Sequence, residues 1–195
     1  MIEIEELSPR FKAKVYYPKQ DKIEEIEIPQ RGVWNILTFY PGDFTFVCAT
    51  DIEELQKKYE EFKKEGAEIF AISTDSIYSH KAWANSSPRV SKSTIPLVED
   101  FKKEISEALG VLNRKTGAAR RSVAIVDPEG RLQYISIFND SLGKDVEHIY
   151  VAFKALKYIH EHPTDEQGHV CVIPANWRPG KEVLKIDTVK DIGKL

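Results

Sequence analysis

Val33-Trp34-Asn35-Ile36-Leu37-Thr38-Phe39-Tyr40, continued by Pro41-Gly42-Asp43-Phe44-Thr45-Phe46-Val47-Cys48, reads as a buried strand that runs through a turn towards a helix. The first segment is rich in β-branched and aromatic residues, and Pro41-Gly42 ends it. Beyond Cys48, an amphipathic stretch beginning near Thr50 carries Ile52, Leu55, Tyr59 and Phe62 at spacings of three and four. Glu53, Glu54, Lys57, Lys58, Glu60 and Lys64 fill its other face, and Gly66 supplies a stop.

Outward from this unit the alternation continues. Ala67 to Thr74 reads as a second strand and the segment around Tyr78 to Asn85 as a second helix, an order that implies a parallel core. Val123 to Val126 and Leu132 to Phe138 flank Asp127-Pro128-Glu129-Gly130, whose Pro and Gly suit a type I turn between antiparallel strands. Asp145 to His160 places Val146, Ile149, Tyr150, Phe153, Leu156 and Ile159 on one side of a closing helix. After Pro163 the pattern breaks, and 164–195 reads as an extended tail around Val170-Cys171-Val172-Ile173. The result is an α/β thioredoxin-like order: a central mixed sheet flanked by helices, with N-terminal and internal additions. Residues 1–162 form the expected domain and 163–195 its tail.

Composition narrows the function. At 195 residues and 42% hydrophobic content the chain can bury one sizeable core, and a net charge of -3 with no basic stripe argues against nucleic acid. Met1-Ile2-Glu3-Ile4-Glu5-Glu6 is acidic where a signal peptide would be basic, and no apolar run approaches membrane-spanning length, so a cytoplasmic protein with no membrane partner is expected. The only cysteines, Cys48 and Cys171, are too few for a disulfide scaffold. His160, His162, His169 and Cys171 have metal-ligand atoms, but their spacing matches no zinc pattern; no metal and no cofactor are expected.

An isolated cysteine is more often a small buried hydrophobe than a nucleophile. At a strand-to-helix junction, however, unpaired N–H groups and the helix dipole favour the thiolate. An ordinary thiol is only about 3% ionised at neutral pH, and a helix end contributes typically about 0.3–1 kcal/mol, too little to make the thiolate dominant. A fixed cation must add to it, and arginine suits because it stays charged and offers a rigid fork of donors. Arg120 and Arg121 both open the expected strand Ser122 to Val126, and periodicity does not choose between them.

Pro41, Thr45 and Cys48 match the Pro-x-x-x-Thr-x-x-Cys signature of the two-cysteine peroxiredoxins, and the chain resembles their alkyl hydroperoxide reductase C-subunit type. Arg121-Ser122-Val123-Ala124-Ile125-Val126-Asp127 resembles the family segment bearing the active-site arginine, which selects Arg121. Val170-Cys171 with Pro174-Ala175-Asn176-Trp177-Arg178-Pro179-Gly180 resembles the tail bearing the resolving cysteine. The resemblance runs from about Pro9 to the C-terminus.

It implies a thiol-dependent peroxidase acting on hydrogen peroxide and organic hydroperoxides. Cys48 attacks the peroxide; Thr45 and Arg121 hold it; Pro41 packs over the sulfur; Cys171 of a second subunit forms the intersubunit disulfide. A thioredoxin, a glutaredoxin-like protein or a flavoprotein would reduce that disulfide, and homodimers would assemble into a decameric ring. Trp83 resembles a family aromatic near the dimer face. The competing reading is a redox-switched ring-forming chaperone or peroxide sensor with little turnover.

Departures from the family pattern shape further expectations. Ala49 and Asp51 stand where Pro and Glu are usual, and Val172-Ile173 separates Cys171 from Pro174. The stretch Ser86 to Ser93 lacks a Gly-Gly-Leu-Gly loop, and the chain ends at Lys194-Leu195 without a Tyr-Phe helix, so resistance to overoxidation is expected.

Overall fold

The computed structural model describes residues 2–193, so Met1, Lys194 and Leu195, on which part of the signal-peptide and chain-end readings fell, lie outside the described residues. The chain divides into two compact units, Met1–Val146 and Glu147–Leu195. The first unit holds a seven-stranded mixed sheet of order β2-β1-β5-β4-β3-β6-β7. Its strands are β1 (Phe11–Tyr17), β2 (Lys22–Ile28), β3 (Trp34–Phe39), β4 (Ala67–Ser73), β5 (Leu97–Glu99), β6 (Ser122–Val126) and β7 (Leu132–Ile137). Helices α1 (Phe46–Lys64), α2 (Ile77–Ser86) and α3 (Glu104–Ala108) connect them.

β3 lies inside the sheet, parallel to β4 with Trp34 opposite Ala67 and antiparallel to β6 with Leu37 opposite Ala124. Every residue of β3 is buried, which explains why its sequence is nearly continuous in apolar residues and does not alternate. Ile36, Leu37 and Phe39 are wholly shielded from water, each such side chain contributing roughly 1.5–3 kcal/mol. The core of the unit gathers Leu37 and Phe39 with Phe70, Ile72, Val98 and Val126.

The N-terminal and internal additions were expected, but the sequence reading did not place their elements β1, β2, β5 and α3. β1 and β2 pair antiparallel from Phe11↔Ile28 to Tyr17↔Lys22, around a short 3-10 turn at Pro18–Gln20 that Asp21 closes in the left-handed region (φ 47). β5 and α3 form the internal addition, with β5 parallel to β4 and antiparallel to β1. The expected hairpin is present: β6 and β7 pair antiparallel, and Gly130 N donates to Asp127 O (2.9 Å) across the turn, with Gly130 at φ +85.

The second unit holds helix α4 (Val146–Glu161) from Glu147 onward and strands β8 (Val170–Val172) and β9 (Leu184–Ile186). The sequence read this end as an extended tail; β8 and β9 instead pair antiparallel, with Cys171 opposite Lys185. Asp165 closes the turn before β8, its side chain accepting from the backbone N–H groups of Gln167 (3.0 Å) and His169 (2.9 Å). No helix among the described residues is long and apolar enough to cross a membrane.

Candidate active site

β3 ends at Phe39, and the chain turns through Pro41 to Thr45 before α1 begins. The helix starts four residues earlier than the hydrophobic pattern predicted, at Phe46 instead of Thr50, so Cys48 lies in its first turn. The pattern misses this turn because Phe46 is 93% exposed and Val47 only partly buried, while Cys48 is completely buried. Thr45 is the N-cap residue with extended backbone (φ -101, ψ 152), but its hydroxyl donates to Gly42 O (2.9 Å) and gives the helix no side-chain cap. Thr45 is exposed and Pro41 partly buried, the two flanking the turn that leads to the buried sulfur.

Arg121, the first residue before β6, meets this turn from the neighbouring strand. It is 2% exposed, and Nη2 donates to Cys48 Sγ at 3.5 Å, whereas Arg120 is exposed. Nε and Nη2 also donate to Asp140 O (3.1 and 2.9 Å), and Nη1 donates to Asp51 Oδ2. All three guanidinium nitrogens are engaged, so the fork is fixed in one orientation. Burial works against the charge, but the Cys48 and Asp51 charges outweigh it and hold Arg121 above its ordinary value.

Two residues of the cluster were not singled out as site residues from sequence. Asp51 was noted only as a departure; it is buried and collects Arg121, the Lys144 backbone N–H (2.9 Å) and the Lys144 ammonium (3.0 Å). A position three after Cys48 faces the same side of a helix, and that spacing was the available signal. Lys144 is buried as well, and its Nζ also donates to Phe39 O (2.9 Å) at the end of β3. Desolvation pushes its pKa down, opposed by Asp51. Nothing in Leu142-Gly143-Lys144-Asp145 distinguishes this lysine from a solvated one.

Beside the cluster a second buried network supports the turn. Tyr40 OH donates to Asp43 Oδ1 (2.9 Å), His80 Nδ1 faces Asp43 Oδ2 (2.9 Å), and His80 Nε2–H donates to Val98 O (3.0 Å). Trp83 packs on Tyr40 with centroids 5.6 Å apart, which places this aromatic in the core beneath the turn. An open groove lies alongside, lined by Phe44, Thr45, Phe46, Ala49, Trp83 and Pro88. Cys171 belongs to the second unit, 6% exposed, with its N–H donating to Pro163 O (3.1 Å). Neither cysteine is disulfide-bonded.

A buried thiol on a helix's first turn, with a buried guanidinium against its sulfur, is an arrangement for stabilising a thiolate. The chain as a whole is similar to known proteins. The model of the AhpC/TSA family matches residues 4–135, and that of the C-terminal domain of 1-Cys peroxiredoxin matches 163–194. Alkyl hydroperoxide reductase C of Amphibacillus xylanus is 40% identical over 185 residues, covering 95% of either chain. The crystal structure of Enterococcus faecalis AhpC superposes with a TM-score of 0.80 at 29% identity, over 85% of this chain and 98% of that one. Reduced 2-Cys peroxiredoxin of Plasmodium vivax gives 0.84 at 27% identity, over 92% and 91%. Such likeness extends from the first strand to the C-terminal hairpin, and the chain belongs to the AhpC/TSA family, with the thioredoxin fold of the peroxiredoxins.

Proposed function

We propose that Cys48 is the nucleophile of a thiol-dependent peroxidase that reduces hydrogen peroxide and organic hydroperoxides. The observation that carries this reading is the buried Arg121 Nη2 at 3.5 Å from Cys48 Sγ, at the N-terminal turn of α1. The Cys48 thiolate attacks the terminal peroxide oxygen; an S–O bond forms, the O–O bond breaks, and the departing oxide takes a proton to leave as water or alcohol. Arg121 stabilises the charge that moves from sulfur to the leaving oxygen, and Thr45 orients the peroxide where the turn opens. Pro41, which has no N–H, adds no competing donor to that approach.

Cys171 of a second subunit then condenses with the sulfenic acid, forming the disulfide and releasing water, and a dithiol donor supplies the two electrons that restore both thiols. Residues 1–162 carry the peroxide chemistry in this reading and 163–195 the resolving cysteine that docks on the partner subunit. Both sulfurs are buried, so the disulfide requires the first turn of α1 and the β8–β9 hairpin to open. Exposed Phe44 and Phe46 beside the turn support assembly of copies, a homodimer and then a ring; in this reading the compartment is the cytoplasm and the reductant a thioredoxin, a glutaredoxin-like protein or a flavoprotein.

The test is a non-reducing gel after one equivalent of peroxide, for wild type, Cys48→Ser and Cys171→Ser, alongside peroxide consumption with a dithiol donor. Covalent dimers in the wild type only, with steady consumption, are expected. Oxidation of Cys48 with no turnover would instead favour the peroxide-sensing or chaperone reading.

A further inference from the structure

Lys144 is a buried charge to which the peroxidase reading gives no task. Its ammonium has two acceptors, Phe39 O at 2.9 Å and Asp51 Oδ2 at 3.0 Å, and its backbone N–H holds the other Asp51 oxygen at 2.9 Å. Asp51 in turn binds Arg121 Nη1, and Arg121 binds Cys48 through Nη2. The four side chains are all buried and form one chain of contacts. Asp140, the other carboxylate at Arg121, is exposed and offers its backbone oxygen to the guanidinium, while its carboxyl accepts from the Arg121 backbone N–H (3.2 Å).

Counting charge across this chain gives a definite result. Arg121 and Asp51 cancel, so without Lys144 a thiolate at Cys48 would be an uncompensated negative charge in a region shielded from water, which is costly. With the Lys144 ammonium present, thiolate and cluster together are neutral. Deepening the proposed function, and resting on its reading of Cys48 as a thiolate nucleophile, we propose that Lys144 is a positioning residue: it neutralises Asp51, leaving the positive charge of Arg121 free to hold the Cys48 thiolate.

A neutral amine paired with a neutral thiol would also balance the cluster. The two oxygen acceptors around Nζ, one of them a carboxylate, favour the ammonium. Burial pushes the Lys144 pKa down, and the Asp51 carboxylate against Nζ opposes it.

The test is a thiolate titration by ultraviolet absorbance in full-length protein carrying Cys171→Ser, which leaves Cys48 as the only thiol. Lys144→Met is expected to move the ionisation midpoint of Cys48 up by about one pH unit or more, roughly a tenfold loss of thiolate below the midpoint. Lys144→Arg, which keeps the charge, is expected to stay near the parent. Adding Asp51→Asn to Lys144→Met removes both charges and is expected to bring the midpoint back; a merely structural lysine gives no such rescue. Should Lys144→Met not fold alone, Lys144→Gln, which keeps a donor towards Asp51 and Phe39 O but carries no charge, reads the same quantity, with a raised midpoint expected. A midpoint that neither Lys144→Met nor Lys144→Gln moves, or a double variant that stays as high as Lys144→Met, overturns the proposal. A parent whose Cys48 is un-ionised at neutral pH and inert to hydroperoxide would instead sink the peroxidase reading itself.

Discussion

Arg121 Nη2 stands 3.5 Å from Cys48 Sγ although the two residues are 73 positions apart, because β6 lies beside β3 and brings its first residues to the turn that β3 feeds. The guanidinium serves Cys48, Asp51 and the Asp140 carbonyl at once, which a single ammonium cannot do. Arg121→Met is therefore expected to slow Cys48 oxidation by hydroperoxide about 10²–10³-fold, the usual cost of losing one preorganised donor. Arg121→Lys should recover only part of it, because its point charge must choose among the three acceptors. Stopped-flow oxidation of the reduced variants measures both; a lysine variant as fast as wild type would show that charge alone suffices.

What was legible in the sequence follows from which signals are local. Strand β3, helices α1 and α2 and the β6–β7 hairpin announce themselves through apolar runs, spacing and the Pro128–Gly130 turn. The β1–β2 hairpin also carried a signal, since Lys12 and Lys14 alternate with Ala13 and Val15, whose side chains are buried. β8 and β9 are three residues each, too short for any period to register, and their pairing is nonlocal. At the site, Cys48 and Thr45 were visible because a turn and a signature flank them. Asp51 and Lys144 were not, because a carboxylate and an ammonium read as solvated until the fold buries them against each other.

His80 and Asp43 form a buried pair under the same turn, with Nδ1 2.9 Å from Oδ2 and no water-exposed surface on the imidazole. Removing the imidazole leaves the Asp43 carboxyl with Tyr40 as its one side-chain partner among the described residues. His80→Ala is expected to destabilise the protein by about 3 kcal/mol or more, read as a lower urea midpoint at unchanged slope. His80→Asn keeps a donor near the Nδ1 position while giving up the bond to Val98 O, so its loss should be smaller. Equal losses would mean that the donor to Asp43 does not set the cost.

Tyr16 is buried in β1 and donates to Asp21 Oδ1 at 2.9 Å. Burial first, and then the Asp21 hydrogen bond and charge, raise its ionisation from near 10 to about 12. Because the folded value lies above the unfolded one, this contribution to stability is complete below pH 10 and is lost as pH rises from there through about 12. Tyrosinate absorbance of the native protein should show a late-ionising phenol that Tyr16→Phe removes. A titration curve that Tyr16→Phe leaves unchanged between those limits would contradict the assignment.

Asp165 holds the turn that precedes Cys171. Its carboxylate accepts the His169 N–H at 2.9 Å, the Gln167 N–H at 3.0 Å and faces His169 Nδ1 at 3.1 Å, closing the turn that launches β8. Partial burial pushes its pKa up, but the His169 and Gln167 hydrogen bonds outweigh this and hold it below the ordinary carboxylate value. The sign follows: the turn is held above the unfolded value near 3.8 and loosens as pH falls through the lower folded value. Asp165→Ala removes the same bonds at neutral pH and should speed amide exchange at Gln167, His169 and Cys171 several-fold, with Asp165→Asn intermediate. If opening of this hairpin limits disulfide formation, the alanine variant must also condense faster once Cys48 is a sulfenic acid, with peroxide attack itself unaltered. Rapid-quench trapping of the sulfenic acid separates the two steps, and a variant with faster exchange but unchanged condensation would place the limiting motion at the first turn of α1.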